Sequence, residues 1–194
     1  RLGELLEVPH ISTGDMLRGE VAHNTELGRR AQEHMNAGQL VPDELVIEIV
    51  GRRLDEPDAR GGWILDGFPR NVNQARALDR LLGDSAPEAV LTLEVPDHEV
   101  FVRIAGRRTC PRGHVYNLTR NPPRKPGVCD IDGEPLRQRE DASEEVVKER
   151  LESYKQETTP ALDFYDRKGV LVRIDGTGEP DQVYERVLAK LKRA

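Results

Sequence analysis

Residues 63–75 read WILDGFPRNVNQA. The run "GWILD" is apolar, ends on an acid and is short enough to be a buried strand, while helical spacing begins at Asn71 and runs to Leu82. A strand passing through glycine and proline directly into a helix is the building unit of an α/β fold with a parallel sheet. Ligands of such sheets bind beyond the carboxyl ends of the strands, so Asp66, Gly67 and Arg70 are expected at a crevice. Gly67 lets backbone approach a ligand closely, and Arg70 offers a planar fork matched to phosphate oxygens. Taken alone, these residues also suit a plain strand-to-helix turn whose aspartate caps the helix.

Working outward, "ISTGDMLR" (11–18) repeats the logic: a strand end, hydroxyl residues, a glycine, then a helix with Arg18 one turn in. Helix N-termini attract anions through unpaired N–H groups and the aligned peptide dipoles; an ordinary Ser/Thr cap has the same look. Residues 1–8 read as the tail of a helix and "VPHIST" as a short strand, so the sequence opens in mid-element. Three helical patterns follow between Gly14 and Arg53. "AVLTLEV" (89–95) and "VLVRIDGTG" (170–178) read as further buried strands, with amphipathic helices over 96–107 and 181–192. A long helix is expected from Ser143, as N-cap, toward Lys168, kinked or divided at Pro160.

Between about Arg108 and Asp141 the sequence is rich in Pro, Gly and Arg and poor in helix formers, which marks an inserted module. Arg103, Arg107, Arg139 and Arg150 flank it on both sides. If the module is a flap, its closure brings guanidinium groups together around a polyphosphate; taken singly, each arginine also suits a solvated helix face. The chain has 194 residues, a third of them charged, and a net charge of −6. That balance excludes a disordered polar chain and disfavours a nucleic-acid binder. No stretch approaches a membrane span in length and no secretory leader opens the sequence, so a cytoplasmic protein is expected. Two cysteines are too few for a disulfide scaffold.

Taken together, "ISTGDMLR", "AGQLVPDELV", "LDGFPRNVNQA" and the module ending in "RED" resemble the adenylate kinases with a long lid, from about residue 4 to the C-terminus. The resemblance implies a P-loop-NTPase-like core (1–11, 54–105 and 142–194), a nucleoside-monophosphate-binding arm (12–53) and a small β-rich lid (106–141). It implies the reaction ATP + AMP = 2 ADP with Mg2+, a monomer, and no nucleic-acid or membrane partner. Carried over residue by residue, Thr13 and the segment Gly38, Gln39, Leu40 and Val41 line the AMP pocket, beside Gly67. Arg18 and Arg70 hold the AMP phosphate and Gln74 reads the adenine edge. Asp66 matches the acid that orients magnesium through water. Arg103, Val115, Tyr116 and Gly178 match ATP contacts. Arg107, Arg139 and Arg150 match the arginines that close on the transferring group, with Asp141 in the acidic hinge of the lid. Arg120 stands where relatives place a packing group near the ATP base.

The family's lid often carries four zinc ligands. Here Cys110 and His114, as Cys-x-x-x-His, and Cys129 and Asp132, as Cys-x-x-Asp, make a workable tetrahedral set for structural Zn2+, although the first spacing departs from the commoner Cys-x-x-Cys. The phosphate loop G-x-x-x-x-G-K-[ST] occurs nowhere in these residues. Since the sequence opens inside the helix that should follow it, the expectation is a kinase whose 194-residue form is impaired. The competing expectations are a UMP/CMP kinase, against which Thr13 argues, and a non-catalytic nucleotide- or zinc-binding regulator.

Overall fold

The computed structural model describes residues 1–83, 87–138 and 142–192. The chain divides into two compact units: Arg1–Met35, Gln39–Val90 and Ser153–Leu171 form the first, and Asn36–Gly38, Leu91–Glu152 and Val172–Ala194 the second.

In the first unit, α1 (Leu2–Leu6) ends on Glu7 in the left-handed region and leads to β1 (His10–Ser12). β1 pairs in parallel with β2 (Ile64–Asp66), Ser12 opposite Asp66, so both strands stop at the same level and both continue into turns at the same end. Each turn is built by a side-chain cap. The Ser12 hydroxyl accepts from the Asp15 N–H at 3.3 Å and starts α2 (Thr13–Ala22); the Asn71 side chain accepts from the Gln74 N–H at 2.8 Å and starts α5 (Val72–Leu82). Between them lie α3 (Glu26–Ala37) and α4 (Asp43–Leu54). α4 carries Asp43 and Glu44 in its first turn and Arg52 and Arg53 in its last, the arrangement the helix dipole favours. One stripe of each helix meets in a common core of Leu17, Ala31, Val41, Leu45, Val46, Val50, Phe68 and Leu78. Gly28 sits where α3 crosses the end of α2: a Cβ there would stand 2.1 Å from the Glu20 carbonyl oxygen.

In the second unit, β3 (Val90–Glu94) pairs with β6 (Leu171–Asp175). Val90 N donates to Val170 O at one end and Gly176 N to Glu94 O at the other, so the two strands advance together in parallel. α6 (Asp97–Ala105) follows β3, and α9 (Pro180–Leu191) follows β6 behind a reciprocal cap between Glu179 and Gln182. β4 (Arg107–Thr109) and β5 (Val115–Asn117) form an antiparallel ribbon, extended by isolated bridges Thr109–Arg137 and Val128–Pro135. The inserted stretch is therefore a small β module, the β-rich character that the family resemblance implies.

The expected helix from Ser143 differs in its middle. α7 (Glu144–Ser153) starts at Ser143, whose hydroxyl accepts from Val146 N–H at 3.3 Å. Residues Tyr154–Thr158 then form a π-helical turn before α8 (Thr159–Arg167) resumes with Pro160 in its first turn. Proline has no N–H for the carbonyl four residues back and its ring crowds that carbonyl; the wider turn upstream absorbs both effects. Periodicity finds the helix but not this change of register. The closing helix also begins one residue earlier than expected, at Pro180, whose fixed φ suits the first helical position.

Candidate functional site

The first unit gathers its candidate residues at the shared end of β1 and β2. Thr13 is buried, and its hydroxyl donates to the Asp66 carbonyl oxygen at 3.1 Å, lacing the first residue of α2 to the end of β2. Gly67 follows with φ of +79°, and a Cβ there would lie 2.8 Å from Thr13 Oγ1 and 3.1 Å from an Arg70 terminal nitrogen. Only glycine accepts both the backbone and the crowding. Arg70 turns back so that its Nε donates to Gly67 O at 2.8 Å, and its own carbonyl accepts from the Thr158 hydroxyl at 2.9 Å. Its guanidinium is thus held over a glycine at a strand end. Phe68–Pro69, between them, is a cis peptide.

Arg18 folds over the first turn of α2. Its guanidinium lies 2.5 Å from Asp15 Oδ1 and close to where a Gly14 Cβ would be, at 3.1 Å. The Asp66 carboxylate remains exposed, with His10 Nε2 3.2 Å away. Gln74 is fully buried and its amide is bonded on both sides, Oε1 to Arg70 N and Nε2 to Asp43 Oδ1. Gln39 is exposed, Leu40 partly so, and Val41 is buried in the core cluster.

In the second unit, Gly38 ends α3, and a Cβ on it would lie 2.8 Å from Val146 O and 3.3 Å from Arg150 Cγ on α7. The Arg103 guanidinium is fixed by Gly176 O at 3.0 Å and Glu99 Oε2 at 2.8 Å, and its carbonyl accepts from Asn117 Nδ2. Arg107 opens β4 opposite Asn117. Gly178 precedes α9 with φ of +86°. Arg120 lies 3.9 Å from Glu179. Arg139 and Asp141 lie outside the described residues.

The β module brings its four candidate ligands together. Cys110 Sγ is 3.4 Å from His114 Nδ1 and 3.2 Å from Asp132 Oδ2; His114 Nδ1 is 2.9 Å from Asp132 Oδ2 and 3.5 Å from Cys129 Sγ. All four donor atoms fall within 4.8 Å of one another, both cysteines are buried, and neither is in a disulfide. Two sulfurs, a nitrogen and an oxygen that lie this close make a donor set that could hold a metal ion. The extra residue in Cys-x-x-x-His is absorbed by the turn at Gly113, so the unusual spacing does not separate the ligands. The Cys129 thiol and then the Glu134 N–H hold the Asp132 carboxyl well below its ordinary range, while burial pushes the Cys110 thiol up. Tyr116 is buried in the same cluster, its hydroxyl accepting from Asp130 N–H at 2.8 Å and lying 3.6 Å from Cys129 Sγ.

The sequence profile described as adenylate kinase matches residues 1–170. The chain belongs to the adenylate kinase family. Among its relatives, the adenylate kinase of Streptomyces coelicolor is 52% identical over 198 residues, covering 100% of this chain and 91% of that protein. The adenylate kinase of Methanothrix thermoacetophila is 44% identical over 194 residues, with 99% and 90% covered, and that of Archaeoglobus fulgidus is 48% identical over 196 residues, with 100% and 90% covered.

Sequence reading missed two partners that hold candidate residues: Thr158, which bonds the Arg70 carbonyl, and Asp43, which bonds Gln74; the Ser/Thr cap it offered at the start of α2 is made by Ser12. Asp43 sat in view inside "AGQLVPDELV", but at the start of a helix an acid is accounted for by the dipole alone.

Proposed function

We propose that the protein is an adenylate kinase, catalysing ATP + AMP = 2 ADP. The observation that carries this reading is the Thr13–Asp66–Gly67–Arg70 lacing at the shared strand end, on a chain of this family. Phosphoryl transfer asks little covalent chemistry of a protein: two nucleotides must be aligned, charge neutralised and water excluded. Arg70 and Arg18 supply cationic forks for the phosphate of AMP, and Gln74 supplies a polar edge for its base. Because Arg70 is already bonded at Nε, its outer nitrogens meet a phosphate with little further loss of conformational freedom. Residues 12–53 form the monophosphate-binding arm and 106–141 the lid, whose arginines, with Arg103, Arg107 and Arg150, face ATP and the transferring group. Val115, Tyr116 and Gly178 belong to the same ATP surface. Magnesium arrives with ATP and supplies charge neutralisation; the exposed Asp66 carboxylate is suited to hold its water shell.

Zinc in the lid is part of this proposal, with Cys110, His114, Cys129 and Asp132 as its ligands and a structural role, since a module with a core of two cysteines, Tyr116 and Leu136 has little else to hold it. We further read the protein as a cytoplasmic monomer; no described helix is long and apolar enough to cross a membrane. The test is ADP formation by the protein as its gene encodes it, with AMP, CMP and UMP compared as acceptors. AMP should be preferred. Arg70→Ala should weaken AMP binding by about 10- to 100-fold, the scale of one charge-assisted hydrogen bond, and lower turnover. Near-normal kinetics in that variant would remove Arg70 from the site. Zinc near one equivalent by metal analysis supports the lid assignment, and less than about half an equivalent counts against it.

A further inference from the structure

At ordinary precision the two ends of a glutamine amide are distinguished only by their hydrogen-bond partners. In Gln74 the partners leave no choice. Oε1 accepts from the Arg70 backbone N–H at 2.7 Å, a group that can only donate. Nε2 donates to Asp43 Oδ1 at 2.8 Å, and a carboxylate oxygen can only accept. The same Asp43 oxygen accepts from Asn71 Nδ2 at 2.8 Å, so the carboxylate is itself held by the residue that caps α5. Asn71 Oδ1 in turn accepts from Gln74 N, which closes the set. A flip of the amide would put two donors against each other at Arg70 and two acceptors against each other at Asp43.

With one bond made on each side, the amide has one further N–H on Nε2 and one further lone pair on Oε1, in a fixed order; Gln74 is 2% exposed, so a base meets that edge only where neighbouring side chains move aside. That edge complements a base presenting a ring-nitrogen acceptor beside an exocyclic amino donor, as a 6-aminopurine does. It opposes a 6-oxopurine, whose ring N–H and carbonyl oxygen present the reverse order. We propose that Asp43 is a specificity-determining positioning residue: by fixing the orientation of the Gln74 amide it makes the monophosphate site select amino over oxo bases. This rests on the reading of Gln74 as the residue that meets the base. If Asp43 only tethered α4 to α5, its loss would lower stability and leave base preference untouched.

The experiment is calorimetric binding of AMP and inosine monophosphate to the full chain and to four variants, with a thermal melt of each. In the parent chain AMP should bind more tightly. Asp43→Ala should reduce the AMP:IMP affinity ratio by about tenfold, the scale of one misplaced bidentate base contact. Asp43→Asn keeps an oxygen able to accept from both amides and should retain the ratio. Should Asp43→Ala fail to fold, Asp43→Ser keeps a polar helix start, is too short to reach the amide, and carries the same expectation. Gln74→Leu separates the two layers. If it leaves the ratio unchanged, Gln74 does not meet the base and both readings fall; if it abolishes the ratio while a folded Asp43→Ala or Asp43→Ser does not, the positioning role alone is overturned.

Discussion

A guanidinium fork is common on protein surfaces, and what sets Arg70 apart is the number of atoms committed to holding it. Nε is bonded to Gly67 O, the carbonyl to Thr158, and the N–H to Gln74. Gly67 is the residue this arrangement cannot spare. Its φ of +79° disfavours any side chain, and a Cβ would press on both Thr13 Oγ1 and Arg70. Gly67→Ala should therefore destabilise the protein by about 1 to 3 kcal/mol from the backbone alone. It should also weaken AMP binding beyond what the lost stability explains, because Arg70 must move. Thermal melts paired with AMP titration check this, and a variant with a lowered melting point but unchanged AMP affinity would show that Arg70 is not displaced. Here the sequence was legible in part: it marked Gly67 as a place for close approach to a ligand, while the crowding by Thr13 Oγ1 and Arg70 is a contact that it did not name. The orientation of Gln74 was not, because its partner Asp43 lies 31 residues away and no local pattern records that bond.

Among the elements, two close fits decide most of the packing. Gly28 brings α3 against the end of α2, where a Cβ would stand 2.1 Å from Glu20 O and 2.3 Å from its carbonyl carbon. Backbone cannot rotate away as a side chain can, so Gly28→Ala should force the helices apart at about 1 to 3 kcal/mol or more, read as a lower denaturant midpoint. A midpoint equal to the parent's would mean that the two helices slide at no cost. The β module is the second case. Its hydrophobic cluster is Cys110, Tyr116 and Cys129, with Leu136 packed against them. With so small a core, Cys129→Ser should both lower bound zinc and open residues 106–141 to protease, while the first unit stays resistant. Equal protease resistance with and without zinc would show that hydrogen bonds alone hold the module. Sequence periodicity placed the long helices and four of the six described strands, since amphipathic spacing and caps are local, but not β4 and β5, whose three residues each carry no pattern of their own. It missed the π-helical turn at Tyr154–Thr158, because the demand made by Pro160 is met upstream of the proline, over residues whose own pattern is plainly helical.

For the molecule as a whole, net charge and pairing together set the response to acid. At −6 the chain carries more carboxylates than cations, and each unit holds an aspartate whose carboxyl lies below its ordinary 3.8 in the folded state. In the first unit Asp58 is lowered chiefly by hydrogen bonds from Arg53, which grips both its oxygens at 2.8 and 2.7 Å. In the second, Asp175 is lowered by the hydroxyl and N–H of Thr177, with Arg186 adding to the effect. For a group depressed on folding, the unfolded chain binds the proton more readily. The stabilisation is therefore fully present above the unfolded value near 4 and is lost as pH falls through the lower folded value. Both units should hold their melting points from neutral pH down to about 5 as far as these groups are concerned, then lose stability progressively below about 4. Asp58→Asn should remove part of that acid-side slope, and so should Asp175→Asn, each acting through a different unit and the two effects adding. Melting curves recorded at intervals between pH 3 and 7 measure the slopes directly. An Asp58→Asn variant whose acid slope matches the parent's would mean that the Arg53 fork makes no difference between the folded and unfolded proton affinities, and that acid sensitivity in the first unit arises from its other carboxylates.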